Sequence, residues 1–202
     1  MKHTSEIALP APTIRHDSSL EANLRARRSV REFAAEPLPL ATLAQLLWAA
    51  QGVTSSAGER TAPSAGALYP LEVYVVAGNV RGVAAGVYRY EPQGHALRLH
   101  SEGDRRRALA HAALGQSGLA DAAAVLVITA VYARTSGKYG ARGRQYVHME
   151  AGHAAQNVYL QAESLGLGTV LIGAFEDEKI HDALELPASE TPLALLPVGM
   201  RQ

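Results

Sequence analysis

Nine consecutive residues, Ala123 to Val131, carry no charge and one hydroxyl, that of Thr129. A run this apolar, without alternation, fits a strand buried on both faces. Other strands read at Leu71–Ala77, at Gly86–Tyr90 and Ala96–His100 around the turn signal Pro92-Gln93-Gly94, at Gly168–Gly173 and at Leu193–Gly199. Between them lie helical patterns. One runs from a Ser18 or Ser19 cap to about Arg28, and the next from Leu40 to Gln51, with Leu43, Leu46 and Leu47 on one face and Gly52 as its stop. Three more cover Asp104–Leu114, Tyr146–Leu165 and Glu176–Leu184. This order predicts an α+β fold, a central and mainly antiparallel sheet wrapped by helices. Residues 1–17, with Pro10 and Pro12, read as an extended arm, and 18–202 as a single domain.

Composition removes several classes of function. Lysine plus arginine equals aspartate plus glutamate at 19 each, so bulk charge argues for neither nucleic acid nor membrane. There is no cysteine, hence no disulfide, thiolate metal site or cysteine nucleophile. No segment has the length of a signal peptide or a membrane span, and a cytoplasmic protein is expected. His148, Glu150 and His153 invite a metal reading, but histidines five apart on a helix face different ways, so no metal is expected.

Four stretches remain as candidates for chemistry. Arg27-Arg28-Ser29-Val30-Arg31 sets three guanidiniums and a hydroxyl near a helix end. Guanidinium forks match phosphate oxygens; a solvated basic face has the same pattern. Pro63-Ser64-Ala65-Gly66, in a loop over 53–69 without apolar period, would let backbone approach a flat ring or a neighbouring chain, or is an ordinary turn. Gly166 to Phe175 leaves a helix and enters a strand, the reverse of a dinucleotide fingerprint; its glycines cap the helix or expose a backbone N–H to a ligand. Lys138-Tyr139 reads as part of a polar loop over 134–144, where an ammonium beside a phenol favours the phenolate, or as two solvated residues. Gly152, mid-helix among alanines, suggests close backbone packing, since glycine costs about 1 kcal/mol relative to alanine there.

In their joint order, RRSVREF, LATLAQLLWAAQGV, PSAGALYPLEVYVV, KYGARGRQYVHMEAGHAAQNVYL, GLGTVLIGAF and LLPVGM, these stretches resemble the nitroreductase superfamily over roughly residues 7–200. The branch they resemble is the SagB/ThcOx type, which contains azoline dehydrogenases. That resemblance implies a nitroreductase-like α+β fold in an intertwined homodimer, with FMN at the subunit interface. It implies Arg27, Arg28 and Ser29 at the phosphate end, and Arg31 near the pyrimidine edge, where a cation favours the reduced anionic ring. Pro63, Ser64, Ala65 and Gly66 would line the flavin from the partner subunit. Ile172, Gly173 and Ala174 would flank the ring, with a backbone N–H for N5.

The resemblance further implies that Lys138 and Tyr139 remove a proton from a thiazoline or oxazoline ring, usually within a modified peptide, as hydride moves to N5. Oxygen would then take the electrons. Many relatives close the phosphate site with a basic residue on a C-terminal tail; here Arg201 is expected to substitute, or the first cluster serves alone. The extra N-terminal domain of larger members is expected to be lacking. Two other activities fit the same scaffold: NAD(P)H-dependent reduction of a small nitro or quinone compound, and flavin binding without turnover.

Overall fold

The computed structural model describes residues 6–14 and 17–202; the rest of the expected arm, 1–5 and 15–16, lies outside the described residues. Strand β1 (Glu6–Ala8) comes from that arm and pairs with β4. Two helices follow, α1 (Leu20–Ala26), capped by the Ser19 side chain, and α2 (Leu40–Gln51). A loop holding a 3₁₀ turn at Ala65–Ala67 leads to β2 (Leu71–Ala77), β3 (Gly86–Glu91) and β4 (Ala96–Glu102). Next come α3 (Arg106–Ala112), α4 (Gly118–Asp121) and β5 (Ala124–Ala130). The chain continues through α5 (Tyr132–Tyr139), a 3₁₀ turn at Gly140–Arg142 and α6 (Gly143–Ser164). It closes with β6 (Leu167–Thr169), α7 (Asp177–Leu184) and β7 (Thr191–Met200).

The seven strands form one sheet in the order β1-β4-β3-β2-β5-β7-β6, and every pairing is antiparallel. All seven residues of β5 are buried, because the sheet is covered on both faces. Leu126 and Ile128 point to one core with α2 and α6, while Val125 and Val127 point to the other with α3 and α7. Each such side chain contributes about 1.5–3 kcal/mol on burial. The two-sided cover is why the run from Ala123 shows no period of two.

Helix α6 is the longest element, 22 residues or about 33 Å. It presents Val147, Ala151, Ala154, Ala155, Val158 and Ala162 to the core, small enough for the helix to lie close to its neighbours. Its opposite face, with His148, Met149, Gly152 and His153, is exposed. A methyl group on Gly152 would meet nothing within 4 Å, so the close packing expected there does not occur within the protomer. No helix among the described residues is long and apolar enough to cross a membrane.

Two expected boundaries are corrected. The polar segment around Lys138 is helical, as α5 and the turn after it, because α5 packs along α6 and buries Thr135. The strand expected over Gly168–Gly173 ends at Thr169; beyond it only Ile172 pairs, bridging Leu195 of β7.

Candidate active site

Two clusters of candidate residues lie along α6. The first begins where α1 ends and the chain leaves through Arg27 to Arg31. The Val30 N–H donates to the Thr169 carbonyl at 2.9 Å, fastening this segment to the end of β6. Three glycines distant in sequence make room for it. A methyl on Gly168 would fall 2.6 Å from Val30 Cγ1, one on Gly118 2.6 Å from the Arg31 carbonyl oxygen, and one on Gly199 3.1 Å from the Phe33 ring. Gly168 therefore serves close packing rather than display of its own N–H.

Tyr159 of α6 ties this segment to the loop after β6. Its hydroxyl accepts the Leu171 N–H at 2.8 Å and lies 3.2 Å from the Ser29 hydroxyl, while the Arg27 guanidinium sits 5.2 Å from its ring centroid. Among the described residues Arg27 and Arg31 form no ion pair with a carboxylate. Arg28 turns back to donate to the carbonyls of Arg25 and Arg27, at 3.1 and 2.8 Å. Arg201 lines the same hollow as Ser29, Val30 and Arg31, but it pairs with Glu163 and donates to the Leu167 carbonyl at 2.9 Å. Ile172 is buried and exchanges both backbone bonds with Leu195. Gly173 and Ala174 are exposed, and their N–H groups donate to nothing among the described residues.

The second cluster sits nearer the start of α6. The loop from Ser64 to Tyr69 holds Gly66, Ala67 and Tyr69 at φ of +63°, +52° and +44°. Non-glycine residues in the left-handed region are strained, and such strain persists only where surroundings hold it. Here the Ser64 hydroxyl accepts the Tyr69 N–H at 2.9 Å, and Arg134 donates to the Tyr69 carbonyl at 3.0 Å. Arg134 in turn is held by Glu72 at 2.5 Å, and Arg60 lies 4.4 Å from the centroid of the Tyr69 ring. Because Arg134 is on α5, the same contact fixes this loop against Lys138 and Tyr139 in that helix's last turn. A methyl on Gly66 would fall 2.8 Å from Tyr139 Oη and 3.1 Å from Lys138 Nζ. The pair expected to move protons thus faces the loop expected to line the ring.

Under that loop lies Glu150, 2% exposed, with Oε1 unpaired among the described residues. Burial pushes its pKa up to about 7, against the Ser64 hydroxyl and the Arg60 guanidinium, which favour the ionised form. It lines a hollow with Pro63, Ser64, Ala65, Tyr146, Met149 and His153. The neighbouring histidine His148 turns elsewhere, 2.6 Å from the Tyr132 hydroxyl.

The structure thus brings Ser29 to Arg31 together with Arg201 in one hollow, tied through Tyr159 to the loop that leads to Ile172, Gly173 and Ala174, and it brings Gly66 against Lys138 and Tyr139 in a second cluster. Tyr159 and Glu150, which mark them, are nine residues apart on α6, about 13 Å along its axis. Sequence reading missed Tyr159, the glycine bed at Gly118 and Gly199, and Glu150 as anything but a rejected metal ligand. Nothing local to Tyr159 points to Ser29, 130 positions away.

On this antiparallel sheet flanked by helices, Arg27 and Arg31 stand without a carboxylate partner and the Gly173 and Ala174 N–H groups without an acceptor among the described residues. The chain belongs to the nitroreductase family, whose members are flavin-dependent oxidoreductases, with residues 24–200 matching the family. It is similar to the candidate nitroreductase MJ1384 of Methanocaldococcus jannaschii, at 50% identity over 201 residues, 100% of this chain and 99% of that one. The crystal structure of a candidate nitroreductase from Ralstonia eutropha JMP134 superposes with a TM-score of 0.86 at 34% identity, covering 98% of this chain and 90% of that chain. The microcin B17-processing protein McbC of Escherichia coli is 31% identical over 143 residues, 63% of this chain and 48% of McbC.

Proposed function

We propose that the chain is an FMN-dependent dehydrogenase of the SagB type, oxidising azoline rings, and that two copies complete each site. The observation that carries this reading is the placement of Lys138 and Tyr139 against the strained loop at Gly66. In one protomer that loop is separated along α6 from Arg27, Arg31 and the free N–H groups of Gly173 and Ala174. A second copy packed on the exposed face of α6, where Gly152 leaves room for a backbone, would bring the loop of one subunit to the arginines of the other.

The residues present fit FMN. Unpaired Arg27 and Arg31, with the Ser29 hydroxyl, suit a phosphate and the electron-rich edge of the ring. Exposed N–H groups at Gly173 and Ala174 suit ring acceptors, and a methyl on Gly173 would lie 4.0 Å from Leu171 Cδ2. Arg201 is already neutralised by Glu163, so the first cluster is assigned the main share of the phosphate. When bound, FMN supplies the hydride acceptor. Conversion of an azoline to an azole removes one hydride and one proton; Lys138 and Tyr139 take the proton from the ring carbon. Molecular oxygen, as terminal acceptor, takes the two electrons and two protons as hydrogen peroxide. The likeness to McbC, a protein that processes microcin B17, supports a peptide substrate, and modified peptides are the class assigned.

Tyr139→Phe is expected to abolish oxidation of an azoline-bearing peptide while the purified protein stays yellow. Unchanged turnover would reject the assignment. The 50% identity to a candidate nitroreductase over the whole chain favours a second reading, NAD(P)H-dependent reduction of nitro or quinone compounds. Stopped-flow mixing with NAD(P)H separates the two: an unbleached flavin removes the second.

A further inference from the structure

Glu72, on β2, is buried and has a cation on each of its carboxylate oxygens. Oε1 accepts from Arg134 of α5 at 2.5 Å, and Oε2 pairs with Arg89 of β3 at 2.9 Å. A carboxylate bound at both oxygens, on a strand inside the sheet, is fixed in place. It fixes Arg134 in turn. One end of that guanidinium, Nη2, meets Glu72, and the other, Nη1, donates to the Tyr69 carbonyl at 3.0 Å. The group is a planar fork, so holding one end aims the other.

Arg134 and Lys138 are four residues apart on α5 and so share one face of it. The end of this helix meets the loop at two points, Arg134 at Tyr69 and Lys138, with Tyr139, at Gly66. A methyl on Gly66 would fall 3.1 Å from Lys138 Nζ, so the loop is pressed against the pair. The chain between the two points is strained, with Ala67 and Tyr69 at φ of +52° and +44°. Tyr69 has two other holds, the Ser64 hydroxyl that accepts its N–H and Arg60 over its ring. Neither comes from α5. Among the described residues, Arg134 makes the side-chain hydrogen bond that joins this helix to residues 64–69.

Resting on the azoline reading above, we infer that Glu72 is a positioning residue, which through Arg134 holds the Gly66 loop and the Lys138–Tyr139 pair at the separation that ring oxidation requires. In that reading the loop lines the ring that takes the hydride, and the pair takes the proton. Hydride and proton leave neighbouring carbons of one azoline ring, so both acceptors must be in place together. A misplacement of about 1 Å costs on the order of 100-fold in rate. Glu72 itself touches neither substrate nor cofactor in this account. Its loss lets Arg134 swing and Tyr69 relax toward negative φ, and the Gly66 loop then moves away from α5.

The test follows flavin bleaching when the FMN-loaded native chain, Glu72→Gln, Arg134→Lys and Arg89→Met are each mixed with an azoline-bearing peptide without oxygen. Saturating peptide gives the limiting rate, and its concentration dependence gives the peptide Kd. In Glu72→Gln and Arg134→Lys the limiting rate is expected to fall about ten-fold, with the Kd of peptide and of FMN within about two-fold of native. The double variant is expected to be no slower than the slower single one, because both break one chain of contacts. Arg89→Met removes the other partner of Glu72 without touching the loop or α5, and its limiting rate is expected to stay near native. The Arg134 side chain is 39% exposed, so Arg134→Lys reads the same rate if Glu72→Gln does not fold. Native limiting rates in Arg134→Lys and Glu72→Gln, or an equal fall in Arg89→Met, overturn the inference and leave the azoline reading standing. A native flavin that the peptide does not bleach overturns both.

Discussion

The Leu171 N–H donates to the Tyr159 hydroxyl at 2.8 Å, and the same hydroxyl stands 3.2 Å from that of Ser29. One side chain of α6 thus joins the arginine segment to the loop after β6. A second tie lies one step earlier, where the Val30 N–H donates to the carbonyl of Thr169 at the end of β6. Tyr159→Phe keeps the ring under Arg27 and removes the polar bridge. A net hydrogen bond is worth about 1 kcal/mol, so FMN affinity is expected to fall about five-fold, measured by fluorescence titration, with little change in unfolding midpoint.

Gly168→Ala places a methyl 2.6 Å from Val30 Cγ1. Overpacking of this kind costs about 1–3 kcal/mol. Urea unfolding is expected to show that loss, accompanied by weaker FMN binding as Val30 and its arginine neighbours shift. Full stability with native affinity would mean that the segment yields without consequence.

Gly66→Ala combines a disfavoured φ of +63° with a methyl 2.8 Å from Tyr139 Oη. The conformational part alone costs about 1 kcal/mol. Because the methyl displaces Lys138 and Tyr139, turnover is expected to fall by more than FMN affinity does. Steady-state rates compared with FMN binding constants read the difference.

Glu150 links stability to pH. Its folded pKa is raised to about 7 from 4.5. Below pH 4.5 both states are protonated and its contribution is constant. Between 4.5 and 7 the unfolded chain releases its proton while the folded one keeps it, so stability falls as pH rises, and above 7 the loss levels off. At about 1.36 kcal/mol per unit the total is about 3 kcal/mol. Chemical denaturation of the apoprotein across this range is expected to show that decline, and Glu150→Gln is expected to lack it.

Where sequence signals are local, they read through to the structure. Helix α2 and strand β2 span Leu40–Gln51 and Leu71–Ala77, the ranges their patterns predict. Leucine spacing with a Gly52 stop, and a valine-rich run with turns on either side, need no distant partner. Helix α5 was illegible because Thr135, Ser136 and Gly137 look like loop; α6, packed beside it, overrides their propensity. In the site, the arginines and glycines were visible as types but not as relationships. Gly168 makes room for Val30, and Tyr159 bridges segments 130 residues apart. Gly152 meets nothing in its own protomer, so its role cannot be read from one chain's packing.

That last point leads to the most direct test of a shared site. Sedimentation velocity, followed at a visible flavin wavelength, reports the mass of whatever carries the cofactor. The colour is expected to travel wholly with a two-chain species holding two FMN, at every concentration where flavin stays bound. A monomer sedimenting with FMN would contradict a site built from the arginines of one subunit and the Gly66 loop of the other.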